Sequence, residues 1–488
     1  MFEKIMLINP SNTMPKDSVR RLTTPLSFLY MASVLKEEGY DVEILDSNCE
    51  GYYNTTIEDD YVTYGLSDKE IMKRVSGYQP DIVGVTSMFS AHQINAWRHC
   101  ELIKKVDKKI PVVLGGIHSS FFPEESLNKP YVDYVVLGEG EYRLVSLLES
   151  LNKGSKPDFD GIAYKQNKEI IVKPMTTRIE NLDLLPLPAR DIIDMEKYIK
   201  IGVPFAPFSR KRRVEQIMTT RGCPFNCSFC SSVKYWGRKL RERSVDNVMM
   251  EIDQLVNKYN IQEIQFADDN LTTNRKRVME LFERMKPYNL SWCMPNGTMV
   301  KTLDEEMINL MGESGAYQFS FALESGSQRV LKEIMNKQVP SKKEVKKLVK
   351  FCHNNNIQVH GMFIIGMPGE TRKEMNETFS YPYDTDIDSA SFFIASPLPG
   401  SRLYDGCKKK GYLIEQPKIN FKTSEIHIPE DSPNYVMSQK DMEELVDKKA
   451  REFNEFSKKQ FPGAWKKKYS LFLERHGKDS DLILGRVT

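Results

Sequence analysis

Two successive series of short apolar runs, separated by helical patterns, constrain the fold of this chain more than any other feature. In the first series, one helical pattern spans residues 26–38 and stops at Gly39, a common helix-end residue. Near-continuous apolar strands that alternate with helices are typical of a parallel sheet covered on both faces. Residues 1–150 are therefore predicted to form an α/β domain with a doubly wound sheet. The five predicted strands are Ile5–Asn9, Val42–Asp46, Asp81–Ser87, Pro111–Gly116 and Asp133–Glu141.

The loops that follow these strands are small, polar and rich in glycine. Ligands of doubly wound sheets bind beyond the carboxyl ends of the strands. Glycine lets a ligand approach the backbone closely, so these loops are predicted to bind a large, nucleotide-like ligand. The loops are Asn9–Pro15, Ser87–His92, Gly115–Ser119 and Gly138–Glu141.

The second alternation of strands and helices runs from residue 214 to residue 405. Distinctive polar residues follow several of its strands, and barrel strands collect functional groups at their carboxyl ends. Between the two series, residues 151–213 carry several prolines and are predicted to be a linker. Residues 406–488 are predicted to be helical, with an amphipathic helix at Met442–Phe461. The six predicted strands begin at Val214, Ile261, Ser291, Tyr317, Val359 and Ser389.

Three closely spaced cysteines, Cys223, Cys227 and Cys230, follow the first strand of the second series. Their spacing allows three thiolates to converge on one cluster from a single loop, which Pro224 separates from the strand. Iron–sulfur clusters usually have four cysteine ligands, so a trio leaves one iron with an open position. Two alternatives remain open, a zinc site without its fourth ligand and three cysteines with no metal. Zinc sites more often contain paired CxxC units or a histidine, and no histidine lies between Cys230 and Cys352.

Charge, termini and cysteine usage exclude several classes of protein. The net charge is +2, whereas proteins that follow nucleic-acid phosphates carry a strong basic excess, so no nucleic-acid partner is predicted. The first residues lack the basic region and apolar core of a signal peptide, and no run of about 18 apolar residues occurs. The chain has eight cysteines, most of them scattered, which fits a reducing compartment better than a disulfide framework. The sequence therefore predicts a cytoplasmic protein.

The pattern CxxxCxxC, with the aromatic Phe229 before its last cysteine, resembles the radical S-adenosylmethionine (SAM) enzymes. The resemblance implies a [4Fe-4S] cluster on the cysteine trio, with SAM chelated by the open iron. It also implies that residues 214–405 form a partial (β/α)6 TIM-like barrel whose strand ends bind the amino group, ribose, carboxylate and adenine of SAM. The implied SAM-binding residues are Asp268, Asp269, Asn270, Glu324, Ser325, Ile365 and Gly366.

Two of these strand ends also have a purely structural interpretation. Asp268–Asn270 could form a turn in which Asn270 caps the next helix. The glycine-rich stretch Gly361–Thr371 resembles the family's adenine-side pattern G-x-I-x-G-x-x-E, but it could also be a plain connection between a strand and a helix.

Next to a radical SAM motif, residues 1–150 resemble the Rossmann-like cobalamin-binding domain. The better-known cobalamin fingerprint, DxHxxG, is absent, because the loop after the first strand reads NPSNTMPKD. His92 and His118 lie on other loops, and lone histidines are more often polar surface residues than ligands. The cofactor is therefore expected, without an assigned lower axial ligand to cobalt. The implied cobalamin-binding residues are Ser87, Met88, Phe89, Gly115, Gly116, His118, Gly138, Glu139, Gly140 and Glu141.

Together the resemblances imply a cobalamin-dependent radical SAM methyltransferase. In such enzymes the reduced cluster cleaves SAM, a 5′-deoxyadenosyl radical removes hydrogen from an unactivated carbon, and methylcobalamin supplies the methyl group. The implied partners are a small-molecule, lipid or peptide substrate and an external one-electron reductant, flavodoxin or ferredoxin. The C-terminal region is expected to cap the substrate. Its Trp465–Tyr469 segment mixes aromatic and basic residues, but membrane contact is not predicted.

Three other functions share parts of this pattern. A radical SAM oxidative cyclase would share the architecture without transferring a methyl group. A methylthiotransferase would carry three N-terminal cysteines for a second cluster, but the first 150 residues contain only Cys49 and Cys100. A non-catalytic iron–sulfur or zinc protein would have no use for SAM-binding strand ends.

Overall fold

The structure is a computed structural model that describes residues 2–16, 18–206, 208–415 and 424–461. It divides into two compact units, with the first ending at Ile201 and the second beginning at Gly202. Among the described residues, no helix combines the length and the apolar character needed to cross a membrane.

The first unit contains strands β1–β10 and helices α1–α8 among its described residues. The strands are Lys4–Asn9, Asn12–Pro15, Asp41–Asp46, Thr55–Glu58, Tyr61–Tyr64, Ile82–Thr86, Val112–Gly115, Tyr134–Val136, Ile162–Gln166 and Glu169–Lys173. The helices are Leu26–Glu37, Ser47–Glu50, Asp68–Tyr78, Gln93–Val106, Ile117–Phe121, Pro123–Leu127, Glu141–Asn152 and Met195–Ile201.

A seven-stranded sheet with the order β10-β9-β8-β7-β6-β1-β3 forms the centre of the first unit. Five neighbouring strands of this sheet, β3, β1, β6, β7 and β8, are parallel. After β3 the chain crosses from one side of β1 to the other. This is the flavodoxin-like doubly wound order, whose switch point lies between β1 and β6. The predicted α/β fold is confirmed, since each predicted strand overlaps one of these five. A small sheet of β2, β5 and β4 was not anticipated.

The first unit extends past the boundary expected at residue 150. β9 and β10 form an antiparallel hairpin, and β9 pairs with β8 at the edge of the central sheet. The hairpin turns at Asn167 and the residue after it, both with positive φ, as a two-residue turn requires. On α8, the Tyr198 hydroxyl donates a hydrogen bond of 2.7 Å to Asp46 Oδ2. Most of the expected linker therefore belongs to the first unit.

The second unit contains strands β11–β20 and helices α9–α16 among its described residues. The strands are Val214–Ile217, Thr220–Arg221, Arg241–Glu242, Glu263–Phe266, Ser291–Thr298, Ala316–Glu324, Gln358–Ile365, Ser389–Ile394, Leu413–Glu415 and Ser424–Ile426. The helices are Ser232–Trp236, Val245–Tyr259, Arg275–Met285, Glu305–Glu313, Lys342–Asn354, Arg372–Asp384, Arg402–Lys410 and Gln439–Gln460, with a π-helical turn at Val330–Ile334.

Six parallel strands in the order β11-β14-β15-β16-β17-β18 form the main sheet of the second unit. Chain order and sheet order agree, as expected when each strand–helix unit adds the next strand, so the predicted partial barrel is confirmed. Polar caps begin the intervening helices, for example Ser244 before α10 and the capping box of Thr371 and Glu374 at α14. Buried aromatics hold helices to strands, as where Trp292 stacks on Phe282 at 4.3 Å.

The C-terminal helix α16 packs against β18, the last strand of the barrel. The Ser457 hydroxyl donates a hydrogen bond to the Asp388 carbonyl just before β18, and Phe453 packs edge-on against Tyr383 at 4.9 Å. This helix corresponds closely to the amphipathic helix predicted from the sequence. The Trp465–Tyr469 segment lies outside the described residues.

Candidate functional site

The three cysteines lie on the loop between β12 and α9. Gly222, directly before Cys223, has φ +93°, and a Cβ there would lie 2.3 Å from the Lys239 carbonyl oxygen. Glycine is therefore required where the loop begins. At the other end of the loop, the Cys230 N–H donates to the Cys227 carbonyl at 3.3 Å, so these two cysteines share one tight turn.

Ser228, within the cysteine trio, anchors the loop to the rest of the barrel. Its hydroxyl donates to the Ile334 carbonyl at 2.7 Å, and its N–H donates to the Met335 carbonyl at 2.8 Å. Its carbonyl accepts the Leu403 N–H at 2.8 Å. Three hydrogen bonds from one residue restrict the loop before any metal binds, which pre-organises the thiols.

Burial raises the pKa of all three thiols, that of Cys230 to about 12. The thiols therefore hold their protons at neutral pH and release them when iron binds, because the thiolate is the ligand. Among the described residues, no three His, Cys, Asp or Glu side chains group tightly enough to hold one metal ion. A cluster does not need such a group, since its thiolates bind different irons. The trio thus fits the [4Fe-4S] cluster implied by its spacing.

Asp268, just beyond β14, fixes the chain that precedes the cysteine loop. Its Oδ1 accepts from the N–H and the hydroxyl of Thr219 at 3.0 and 2.8 Å, and from the Thr220 hydroxyl at 2.7 Å. Its Oδ2 is buried and has no hydrogen-bond partner among the described residues. Asp268 therefore has a clear positioning role, and its contact with SAM stays a prediction.

Asp269 and Asn270 lie beside the cysteine loop. Asp269 accepts a hydrogen bond from the Ser232 hydroxyl, and Asn270 Nδ2 is 3.9 Å from Cys223 Sγ. Asn270 Oδ1 is buried without a partner among the described residues, so it can accept a hydrogen bond from a ligand. The alternative in which Asn270 caps the next helix is wrong, because the cap of α11 is Asn274.

Glu324 ends β16 in an unusual conformation. Its φ is +64°, which is rare outside glycine, and the strand register shifts beside it. Its carboxylate accepts from Lys337 Nζ at 2.9 Å, and the two side chains are only 10% and 5% exposed. Such strain tends to collect at functional sites. Lys337 was not anticipated, since a lysine in a connecting segment has no periodic or motif signal.

Two predicted SAM-binding residues, Ser325 and Ile365, are fully buried. Ser325 is fully buried, and its hydroxyl lies 3.2 Å from that of Thr378 on α14. Successive side chains of a strand point to opposite faces, and in β17 Ile365 is fully buried whereas Ile364 is partly exposed. The contact of Ile365 with SAM stays a prediction, and its neighbour Ile364 is the more exposed of the two.

Gly366 forms a turn that a buried carboxylate stabilises. Its φ is +84°, and Glu370 Oε2 accepts from the N–H groups of Gly366 and Met367 at 2.7 and 3.1 Å. Burial raises the pKa of Glu370 to about 7, although both backbone donors act in the opposite direction. Glu370 thus holds the turn in which the sequence predicts an adenine contact.

Replacing Glu370 by alanine is expected to lower the free energy of unfolding by about 1–3 kcal/mol, because buried N–H groups lose their acceptor. Glu370→Gln keeps an acceptor oxygen and is expected to cost less. Since the carboxyl pKa rises from 4.5 to about 7 on folding, the folded state binds more protons in this window, and stability falls as pH rises through it. Thermal unfolding of the metal-free protein across this window should show a slope that flattens in Glu370→Gln. An equal slope in both proteins would contradict the assignment.

In the first unit, Ser87 and two glycines form a cradle beyond the carboxyl ends of β6, β7 and β8. The Ser87 hydroxyl is fully buried and has no hydrogen-bond partner among the described residues. Gly116 has φ +101°, and a Cβ there would lie 2.6 Å from the Ser87 carbonyl oxygen. Gly138 has φ +71°, with Met175 Sδ 1.9 Å from its would-be Cβ. The two glycines are therefore needed for the chain's own close packing. The buried Ser87 hydroxyl without a hydrogen-bond partner is the feature that fits a polar ligand such as cobalamin.

The other predicted cobalamin-binding residues differ in how exposed their side chains are. Phe89 is 56% exposed, whereas Glu139 and Glu141 are each 5% exposed. Glu139 Oε2 accepts the Ile179 N–H at 3.0 Å, so its carboxylate has a structural partner. The remaining members of the set are Met88 beside Phe89, Gly115 at the end of β7, and Gly140 before α7.

His118 is buried, which corrects the expectation of a polar surface residue. It is 2% exposed, its Nδ1 lies 2.9 Å from the Ser90 hydroxyl, and its ring packs against those of Trp97 and Phe122. Its Nε2 is buried without a hydrogen-bond partner among the described residues. Burial lowers the pKa of His118 to about 4, so the ring is neutral and can accept or donate one further hydrogen bond.

The two units match two protein families. The B12 binding domain family matches residues 16–148, and the Radical SAM superfamily matches residues 217–381, which include the cysteine trio. The chain is 36% identical to the cytidylyl-2-hydroxyethylphosphonate methyltransferase of Streptomyces wedmorensis, over 93% of this chain and 90% of that protein. It therefore belongs to the cobalamin-dependent radical SAM methyltransferases, and its cofactors are a [4Fe-4S] cluster, SAM and cobalamin.

Two further proteins are similar to this chain. The anaerobic magnesium-protoporphyrin IX monomethyl ester cyclase of Rubrivivax gelatinosus is 29% identical over 86% of this chain and 73% of its own. The solved structure of the cobalamin-dependent SAM radical enzyme OxsB, with aqua-cobalamin and SAM bound, is similar with a TM-score of 0.70 at 18% identity. That likeness covers 88% of this chain and 64% of the other, and it shows the shared fold.

Proposed function

We propose that this enzyme methylates an unactivated carbon of a small-molecule substrate. The carrying observation is the cysteine trio on a pre-organised loop at the mouth of a six-stranded barrel, in a chain whose other unit has a cobalamin cradle. When bound, the cluster with SAM supplies a radical that removes hydrogen, and cobalamin supplies the methyl group. The protein contributes orientation and the exclusion of water.

Different residues of the second unit are proposed to bind the cluster and SAM. Cys223, Cys227 and Cys230 hold the cluster, while Asn270 offers a buried, unpaired oxygen to the SAM amino group. The turn at Gly366, held by Glu370, receives the adenine. These assignments rest on the contacts described above and on the resemblance of each strand end to its family position.

The first unit and the C-terminal region have separate proposed roles. The first unit is proposed to hold cobalamin through the cradle of Ser87, Gly116 and Gly138. The buried Nε2 of His118 is proposed to bond a polar group of the cofactor's nucleotide tail, because its ring is neutral and this atom makes no hydrogen bond among the described residues, with Glu125 Oε2 3.8 Å away. The C-terminal region from residue 406 is proposed to close the substrate side of the barrel, and its helix α16 packs against β18.

A phosphonate or phosphate ester linked to a nucleotide is the first substrate class to test. The support is the similarity to the Streptomyces wedmorensis enzyme, which extends over almost the whole of both chains. Anaerobic assays with SAM carrying a deuterated methyl group should give a product heavier by that methyl group. A lipid or a peptide that accepted the label where the phosphonate did not would replace this substrate assignment.

Oxidative cyclisation is the second candidate function, favoured by the similarity to the cyclase of Rubrivivax gelatinosus. Both reactions cleave SAM to 5′-deoxyadenosine with one electron from an external reductant, for which we propose flavodoxin or ferredoxin. They differ in the fate of the methyl label. Cleavage of SAM with substrate oxidation, and with no label in the product, would favour the cyclase.

A further inference from the structure

Lys337 places a buried positive charge in a wall that is otherwise apolar. Its side chain is 5% exposed and pairs with Glu324 at 2.9 Å. Val330, Leu331 and Met335, in the same segment, belong to a buried hydrophobic cluster. A buried ion pair of this kind often gives no more stability than apolar side chains of the same volume. Stability therefore does not explain why a lysine occupies this position.

The backbone around Lys337 is shaped to bring it to the cysteine loop. The π-helical turn Val330–Ile334 precedes it, and Asn336 has φ +52°. Asn336 Nδ2 donates to the Asn226 carbonyl inside the cysteine loop at 2.8 Å. Lys337 Nζ lies 6.0 Å from the ring centre of Phe229, the residue before Cys230. Departures from α-helical geometry of this kind are frequent at functional sites.

The charge of Lys337 lies beside the cysteine loop. Its Nζ is 6.0 Å from the ring centre of Phe229, which directly precedes Cys230, and the adjacent Asn336 is hydrogen-bonded to Asn226, directly before Cys227. Glu324, at 2.9 Å, is the counter-ion that keeps this buried ammonium charged. The ion pair therefore fixes one positive charge next to the loop that carries the trio.

We propose that the Lys337 ammonium, held in place by Glu324, raises the reduction potential of the cluster bound by Cys223, Cys227 and Cys230. Reduction moves one electron from an external donor onto the cluster, so the buried site gains one negative charge. A fixed cation nearby stabilises that charge through Coulomb attraction, which is strong where water is scarce. Net charge and hydrogen bonding around the sulfur atoms are known to set cluster potentials. Lys337 thus acts on the cluster through its charge. This effect requires the bound cluster but not methyl transfer.

The test is a redox titration of the full chain, reconstituted anaerobically and without SAM or substrate, with dithionite as titrant and the reduced cluster followed by electron paramagnetic resonance. Lys337→Gln is expected to lower the equilibrium constant for one-electron reduction about tenfold, which is about 59 mV. Lys337→Arg keeps the charge and should stay near wild type. Lys342→Gln removes a lysine from an exposed ion pair with Asp384 and serves as the matched control.

The outcomes separate this proposal from its alternatives. A potential in Lys337→Gln equal to or above that of wild type overturns it, including the case in which only SAM affinity, measured by calorimetry, has fallen. If Lys337→Gln does not assemble a cluster, the Glu324→Gln/Lys337→Gln double variant takes its place, since it leaves no unpaired buried charge. Its potential is compared with that of Glu324→Gln, which keeps the lysine, and should be lower, because the two variants differ only in the Lys337 cation. Equal potentials in these two variants likewise overturn the proposal.

Discussion

A Cys227→Ala variant is expected to lose the [4Fe-4S] cluster and, with it, all cleavage of SAM. Only the thiolate binds iron, and two remaining cysteines in the loop would leave two irons without protein ligands. The loop itself should persist, because Ser228 holds it through hydrogen bonds to Ile334, Met335 and Leu403 that do not involve the thiol. Iron and sulfide analysis, with chromatography of 5′-deoxyadenosine, measures both losses.

Cys407→Ala is the matched control for this experiment. Cys407 is 2% exposed and lies in the same hydrophobic cluster that Phe229 packs against, but it is outside the trio. The Cys407→Ala variant should retain about four irons per chain, as cysteine ligation of one cluster requires. Full iron content and SAM cleavage in Cys227→Ala would sink the assignment of the trio.

The second large effect is expected for Gly116→Ala, which should abolish cobalamin retention. The new Cβ would lie 2.6 Å from the Ser87 carbonyl oxygen and 2.7 Å from its carbonyl carbon, both backbone atoms, so the loop after β6 has to move. That movement displaces the unpaired Ser87 hydroxyl. Protein purified with cobalamin should lose its corrin absorbance on desalting, while circular dichroism shows that the unit remains folded.

Gly154→Ala controls for the conformational cost of the substitution alone. Gly154 also has positive φ, +66°, but its would-be Cβ meets nothing within 4 Å. It should therefore share the backbone strain and keep the corrin. If Gly116→Ala unfolds, Ser87→Ala removes only the hydroxyl and should weaken binding about tenfold, as loss of one hydrogen bond does. Normal corrin retention in both variants would contradict the cradle.

The architecture could be predicted from the sequence because its signals are periodic. The parallel strands of both sheets are buried on two faces and therefore appear in the sequence as apolar runs. The helix between each pair of strands makes the two strands parallel. The β9–β10 hairpin was missed because prolines nearby suggested a linker, although Asn167 at its two-residue turn was a usable signal. The small sheet of β2, β4 and β5 was missed because β4 is exposed throughout and carries no alternating pattern.

The site was predictable only where motif spacing carried it. The cysteine trio falls in this class. The glycine-rich motif does not distinguish Ile364 from Ile365, whereas in the structure Ile365 is fully buried and Ile364 is partly exposed. Lys337 reaches Glu324 through a π-helical turn and a left-handed Asn336, and no sequence period predicts that path.

The helix α16 is synthesised well after the strand that it covers. An incomplete barrel leaves β11 and β18 as edge strands, and an unpaired edge is a template for pairing with another chain. β18 is complete at Ile394, but the helix that packs against it begins only at Gln439. Because chains fold from their N-terminus as they are synthesised, the nascent barrel displays this edge on the ribosome. The interval before α16 emerges is therefore when aggregation is most to be expected.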